Sequence, residues 1–465
     1  MNQTNMAALL LNQQQAHKND PYPDVSTRID RKDRLADMVV RHSDAICETL
    51  MADYGNRSPI STKASEVLTV IESCNYAKKH IAHWMKIQRR KTKFPFSLMG
   101  AKSSVLHQPL GVVGNISAWN FPIQLSLAPL VDIFSAGNRA MLKPSELSSH
   151  SSDLLAKIIK DSFDEDELAV VLGGAETAAQ FSSLRFDHLL FTGSTHVGKL
   201  VAQAAAANLV PVTLELGGKN PVVISESADV ALAAEKVMWS KTLNGGQICL
   251  SPDTVLVQEG IVSEFVESCK KSVAKMYPNI ESDIDYTHII NDRHADRLRA
   301  LVSEVETDGS TVIHLGEGSG RCVTPSLILD PKLDSKMMNE EIFGGPLPIV
   351  TYSSIEQAIE FINDRPKPLA LYYFGTNKNE INLVTRLTSS GGMVVNDCLA
   401  HHLQEDLPFG GVGDSGTGAY HGYDGFKNFS HARAVHNQSK LDPFRMIRPP
   451  FGEKMRGYVE KQIKR

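Results

Sequence analysis

The stretch His188-Leu-Leu-Phe-Thr-Gly193-Ser-Thr-His-Val-Gly198-Lys199 runs from apolar residues through a polar glycine turn into a helical pattern. Its spacing predicts a strand over 186–191 and a helix over 197–207. The glycines and lysine nearly satisfy the phosphate loop G-x-x-x-x-G-K-[ST], but Leu200 stands where a magnesium-binding hydroxyl is required. ATP hydrolysis is therefore not indicated. Free backbone N–H groups and the helix dipole at such a corner favour a pyrophosphate. An ordinary strand–turn–helix corner is the alternative for this piece alone.

Working outward, short apolar runs predict strands over 111–116, 139–142, 168–171 and 212–216, with helices over 125–136 and 145–162 between them. This alternation implies a parallel sheet covered on both faces, an α/β, Rossmann-like architecture. A second alternating region spans about 220–395, with strands over 222–224, 254–257 and 349–352. Upstream, Leu35, Met38, Val39, Ile46, Leu50 and Met51 recur at helical spacing over 29–54, and a second helical pattern covers 62–86. Lys86, Arg89, Arg90, Lys91 and Lys93 then read as a solvated connection or exposed ribbon. The chain from Leu407 is glycine-rich, then basic and aromatic. It lacks a core of its own and is expected to pack on the rest or on another subunit.

Composition narrows the function. The 465 residues are 42% hydrophobic and 22% charged, the profile of a soluble globular protein. Roughly 100–200 residues per domain gives two to four domains. The net charge of −5, from 48 basic and 53 acidic residues, provides no footprint for nucleic acid or an anionic membrane. No apolar stretch reaches the ~20 residues of a membrane helix. Residues 1–5 carry no basic side chain, and the apolar run 6–11 is too short for a signal-peptide core. Six scattered cysteines without a C-x-x-C pair indicate neither a metal cluster nor a disulfide framework, and a cytoplasmic, reducing location is expected.

Four motifs bear on chemistry. Gly411-Val-Gly413-Asp-Ser-Gly416 has dinucleotide-loop spacing, but no apolar strand precedes it and more glycines follow, so it reads as a turn-rich loop. Asn244-Gly-Gly-Gln-Ile-Cys249 sets a thiol after a flexible glycine pair. Most cysteines are buried structural hydrophobes; this approach would instead let backbone meet a ligand and aim an N–H at an oxyanion. Glu215 sits among leucines before Gly217-Gly-Lys219, either bridged to Lys219 or acting as a base with a raised pKa. In Trp119-Asn-Phe-Pro122, Asn120 either caps the next helix or donates to an oxyanion.

Taken together, Trp119-Asn-Phe-Pro122, Lys143-Pro-Ser-Glu146, Phe191-Thr-Gly-Ser194, Glu215-Leu-Gly-Gly-Lys219, Gly246-Gln-Ile-Cys249, Glu341-Ile-Phe343 and Pro408-Phe-Gly-Gly-Val-Gly413 resemble, in order and spacing, the blocks of the aldehyde dehydrogenase superfamily. Tyr420-His-Gly422 and Phe429-Ser-His431 resemble its class 3-type branch. Tyr22-Pro-Asp24, Arg28-Ile-Asp-Arg31, Asp53-Tyr-Gly-Asn-Arg-Ser58 and Arg448-Pro-Pro-Phe451 resemble the coniferyl aldehyde dehydrogenase subgroup.

The resemblance implies a mechanism. Cys249 attacks the aldehyde to give a thiohemiacetal, Asn120 and the Cys249 N–H hold the oxyanion, and hydride transfer leaves a thioester that water activated by Glu215 hydrolyses. It also implies cofactor contacts. Lys143 and Glu146 meet the adenosine ribose, Gly193 and Ser194 the pyrophosphate, and Glu341 and Phe343 the nicotinamide ribose, with Trp119, Val197, Leu216 and Gly217 beside them. Glu146 favours NAD over NADP by repelling a 2′-phosphate, although dual use occurs in the branch. No metal is required.

The implied organisation is a cofactor domain (1–86 and 108–216), a catalytic domain (217–415), a small bridging β element (87–107 and 416–440) through which the chain dimerises, and a tail (441–465). Two departures stand out. Gly345 replaces the family's usual proline and should loosen the ribose-binding segment, and Gly245 replaces a frequent alanine and should add freedom beside Cys249. The expected substrate is a coniferyl or related aromatic aldehyde, with a soluble long-chain aliphatic aldehyde as the alternative. Outside redox chemistry, a nucleotide-binding cysteine thioesterase or acyltransferase, or a non-catalytic cofactor-binding protein, would show no NADH formation.

Overall fold

The computed structural model describes residues 3–94, 96–442, 444 and 448–464. Residues 1, 2, 95, 443, 445–447 and 465, which belong to the expected cofactor, bridging and tail ranges, lie outside the described residues. The strands are β1 (Gln88–Arg90), β2 (Lys102–Pro109), β3 (Val112–Ile116), β4 (Arg139–Lys143), β5 (Leu168–Val170), β6 (His188–Gly193), β7 (Val212–Leu216), β8 (Pro221–Ile224), β9 (Thr254–Gln258), β10 (Thr311–His314), β11 (Ser326–Leu329), β12 (Pro346–Tyr352), β13 (Ala370–Phe374), β14 (Gly392–Val395), β15 (Gly416–Thr417) and β16 (Ser430–Asn437).

Among the described residues, three sheets organise the chain. The first has the order β15-β7-β6-β3-β4-β5 and is parallel except for the edge strand β15. From β3 the chain winds outward through β4 to β5, then returns to β6 on the other side of β3. The strand order thus reverses between β3 and β6, and the cleft beyond their carboxyl ends is where such sheets bind ligands. The helix Pro122–Ala136 connects β3 to β4 and is buried along its whole length, which explains why its residues read as a continuous apolar run. The second sheet has the order β10-β11-β12-β9-β8-β13-β14, parallel except where β10 meets β11. In the third, β1 pairs with β2, and β2 pairs antiparallel with β16 from Ser430↔Pro109 to Asn437↔Lys102.

Several expectations needed revision. The pattern over 29–54 is two helices, Val25–Arg41 and Ser43–Tyr54, broken at His42. The first buries Arg28, Arg31 and Lys32 as well as its apolar stripe. Arg28 Nη1 donates to the Ser135 carbonyl at 2.7 Å, and Arg31 pairs with Glu167 at 3.0 Å. The second pattern begins as Pro59–Thr62, widens into a π turn over Lys63–Leu68, and continues as Thr69–Trp84. The basic segment is in part the exposed strand β1, and the tail contributes β16. The helix Gln3–Asn19 was not foreseen: its pattern is too polar, yet Met6 and Leu10 are buried against the first sheet, and Gln13 Nε2 donates to the Ala140 carbonyl at 2.9 Å.

Candidate active site

Cys249 follows the helix Val230–Thr242 through a tight turn in which Asn244, Gly245 and Gly246 all have positive φ. A Cβ on Gly245 would lie 2.6 Å from the Thr287 carbonyl oxygen, and one on Gly246 would lie 2.5 Å from the Gly344 carbonyl. Gly245 therefore fits a left-handed, crowded position; the expected gain of freedom gives way to close backbone packing. Buried amides fix the loop. Gln247 Nε2 donates to the Asn244 and His288 carbonyls at 2.8 and 3.1 Å, and Asn220 Nδ2 donates to the Cys249 carbonyl at 2.7 Å.

Asn120 lies at the carboxyl end of β3 and is buried. Its Nδ2 donates to the Gln247 carbonyl at 3.1 Å, tying it to the cysteine loop. Its own carbonyl accepts from Tyr54 Oη, Arg57 Nη1 and Asn244 Nδ2 at 3.0, 3.1 and 3.0 Å. Asn120 does not cap the following helix. Glu66, from the π turn, does so remotely: its Oε2 accepts from the Ile123 and Gln124 N–H groups at 3.0 and 2.8 Å.

Glu215, on β7, is 3% exposed, and neither carboxylate oxygen has a hydrogen-bond partner among the described residues. Burial pushes its pKa well above the usual carboxylate range, with the Gly411 backbone partly offsetting this. The alternative bridge to Lys219 is not formed. Lys219 instead pairs with Asp253 and donates to the Met337 carbonyl at 2.8 Å. The turn-rich segment rejected as a dinucleotide loop folds over Glu215, with Gly416 of β15 opposite it. Burial, reinforced by the charges of Glu215 and Glu341, pushes the Cys249 thiol up to about 12.

Cys249, Glu215 and Asn120 open into one cavity of about 240 Å³ together with Trp119, Gly193, Ser194, Leu216, Gly217, Glu341 and Phe343. Glu341 Oε1 accepts from the Gly218 N–H at 3.1 Å, and burial, then the neighbouring Asp253 charge, raises its pKa to about 7. The expected loosening at Gly345 is opposed by ties on either side of Ile342. Its N–H donates to Asp253 Oδ2 at 2.9 Å, and Arg297 reaches the Glu341 carbonyl at 3.3 Å and the Ile342 carbonyl. Phe343 meets the Trp119 ring edge-on at 5.4 Å.

Ser194 caps the helix Thr195–Ala206, its Oγ accepting from the Val197 N–H at 3.4 Å. Lys143 and Glu146 pair with each other at 2.9 Å at the end of β4, outside the cavity lining. A dinucleotide fits this setting. The capped helix faces the point where strand order reverses, the bare Gly217–Gly218 backbone permits close approach, and Glu341 offers a carboxylate to ribose hydroxyls.

Sequence reasoning missed eight wall residues: Ala118, Leu125, Thr192, His294, Arg297, Leu369, Phe409 and Tyr420. Phe409 and Tyr420 lie inside motifs quoted above, which could have flagged them. His294 and Arg297 are one helical turn apart on Asp292–Thr307 and belong to no such motif.

Fold and site thus define an α/β enzyme class with a nucleotide cleft and a thiol at its centre. The sequence profile of the "Aldehyde dehydrogenase family" matches residues 12–435, and the chain belongs to that family of NAD(P)-dependent oxidoreductases. It is 46% identical to a "Probable coniferyl aldehyde dehydrogenase" of Caulobacter vibrioides, over 99% of this chain and 97% of that one. Identity is also 46% to a "Coniferyl aldehyde dehydrogenase" of a Pseudomonas species, over 96% and 93%. Among solved structures, the substrate-bound state of Staphylococcus aureus AldH superposes with a TM-score of 0.91 at 34% identity, covering 98% and 99% of the two chains.

Proposed function

We propose that this protein oxidises a coniferyl-type aromatic aldehyde to its carboxylic acid, with Cys249 as nucleophile. The observation that carries the reading is the meeting of Cys249, Glu215 and Asn120 in one cavity walled by Leu125, Phe409 and Tyr420. The Cys249 thiolate adds to the aldehyde carbon. The Asn120 amide and the Cys249 N–H stabilise the oxyanion of the thiohemiacetal. A nicotinamide cofactor, held by the residues named below, would supply the hydride acceptor needed to take this adduct to the thioester oxidation level on Cys249. Glu215, a strong base when ionised because its site is dry, takes a proton from the water that hydrolyses this thioester.

Lys143 and Glu146 would hold the adenosine ribose, Gly193, Ser194 and Val197 the pyrophosphate side, and Glu341, Phe343, Trp119, Leu216 and Gly217 the nicotinamide side. The carboxylate of Glu146 favours NAD, with NADP also accepted. On this reading the chain divides into a cofactor domain (1–86 and 108–216), a catalytic domain (217–415) and a bridging element (87–107 and 416–440), with a tail (441–465). It dimerises along β16, whose outer edge is unpaired among the described residues. Six free cysteines suit a reducing cytoplasm, and no helix among the described residues is long and apolar enough to cross a membrane.

The test is NADH formation with coniferyl aldehyde, benzaldehyde and decanal, repeated with NADP. Faster turnover of coniferyl aldehyde supports the reading. Preference for decanal moves the substrate to aliphatic aldehydes, a second reading that the apolar wall favours. No reduced cofactor from a folded sample returns the thioesterase and binding-protein alternatives.

A further inference from the structure

Three imidazoles crowd the far side of the aromatic wall. The His402 ring lies 4.7 Å from Phe409 in a T-shaped contact, His421 stacks on Phe409 at 5.1 Å, and His401 lies at 6.1 Å. His402 and His421 are 5.0 Å apart. They line a second polar pocket with Gln124, Ser73 and Glu405. The two pockets stand back to back, because consecutive residues divide between them. Leu125 and Tyr420 face the catalytic cavity, whereas Gln124 and His421 face the polar pocket.

The polar pocket holds about 10 Å³, room for one oxygen atom and no ring. Its polar groups are not all satisfied. His421 is only 7% exposed, yet its Nδ1 has no hydrogen-bond partner among the described residues, and the same is true of His402 Nδ1. Gln124 Nε2 approaches His402 Nε2 at 3.5 Å, a long contact. Burial pushes both imidazoles down, so each is neutral, with one donor and one acceptor nitrogen. Buried imidazole nitrogens without a partner are costly unless a water or a ligand hydroxyl reaches them.

We propose that Gln124, His402 and His421 form a specificity subsite for the para-hydroxyl of a 4-hydroxyaryl aldehyde. The proposal rests on the aromatic-aldehyde reading above and deepens it. The aryl ring lies along Leu125 and Phe409, and its hydroxyl passes their edge into the polar pocket. A phenolic hydroxyl both donates and accepts, matching two neutral imidazoles. A para-methoxy group can only accept and is too large for the space.

The test compares kcat/KM for 4-hydroxy-3-methoxycinnamaldehyde, cinnamaldehyde and 3,4-dimethoxycinnamaldehyde. The expected result is a preference of about tenfold or more for the hydroxyl compound over both others, the scale of one buried hydrogen bond. His402→Leu and His421→Leu should bring the ratio close to one, and His402→Asn, which keeps a hydrogen-bonding group, should restore part of it. If either leucine variant does not fold, the unmodified enzyme still decides, through competitive inhibition by ferulate against cinnamate. Equal turnover of the three aldehydes, or equal inhibition by the two acids, overturns the subsite and leaves aromatic-aldehyde oxidation standing. Turnover of decanal without any cinnamaldehyde overturns the aromatic reading itself, and the subsite with it.

Discussion

Cys249 is only partly exposed and lies close to two carboxylates, so its thiol is held up at about 12 rather than near its ordinary value. The sign of the consequence follows directly. Below that value each pH unit multiplies the thiolate fraction about tenfold, and the thiolate is the reactive form. Alkylation of the cofactor-free protein by iodoacetamide, with Cys249 followed by mass spectrometry, should therefore accelerate steadily from pH 7 to 10. A plateau below pH 8 would contradict this environment. Glu215→Gln removes a carboxylate that, once ionised, helps hold the thiol up, so alkylation at pH 10 should quicken while steady-state aldehyde oxidation falls by about 10²-fold or more. Cys249→Ala should abolish oxidation yet leave NAD affinity, measured by calorimetry, within about threefold. Loss of binding there would assign Cys249 a structural role instead. At this scale Cys249, Glu215 and Asn120 were each legible as candidates, but each carried two readings. The neighbours remove two of the bland alternatives: Lys219 turns to Asp253, and Glu66 takes the helix cap that Asn120 was free to provide.

The π turn Lys63–Leu68 delivers a fully buried Glu66 to the start of the helix Pro122–Ala136. Glu66 also pairs with Arg57 at 2.7 Å, and Arg57 in turn holds the Asn120 carbonyl. Removing one member leaves the other buried and uncompensated. Arg57→Met should cost about 3–5 kcal/mol, read from chemical denaturation, and should lower kcat by displacing Asn120. The paired change Arg57→Met with Glu66→Leu should recover part of the stability without recovering the rate, because the helix cap stays lost. If Arg57→Met leaves both unchanged, the pair is not what orders this corner. None of this could be read from the chain. Arg57 was noticed only within a subgroup motif, Glu66 was not singled out within the helical pattern over 62–86, and no spacing announced the widening there.

For the whole molecule, the three-stranded sheet joins segments more than 300 residues apart, and eight aligned pairs between β2 and β16 hold it. Most of β16 is exposed, and its outer edge has no partner among the described residues. Such an edge invites pairing with a second copy. Light scattering on the purified protein should give twice the chain mass. Val435→Pro, which removes a strand N–H and fixes φ, should shift the mass toward the monomer while leaving cofactor affinity intact. A monomeric starting protein would remove this role from the edge.

The sequence by itself determined the alternation that makes two largely parallel sheets, the glycine turns that only glycine backbones can make, and the motif blocks that announce the family. These are local properties: periodicity, turn chemistry and short spacing. Tertiary structure alone decided which residues meet. It set Tyr420 and Phe409 in one cavity with Cys249, and three neutral imidazoles behind them. It also decided which charges stay buried, as Arg57 with Glu66 and Arg31 with Glu167 show. The physical reason is that desolvation and pairing depend on distances across the fold, and the chain's own order does not encode those distances locally.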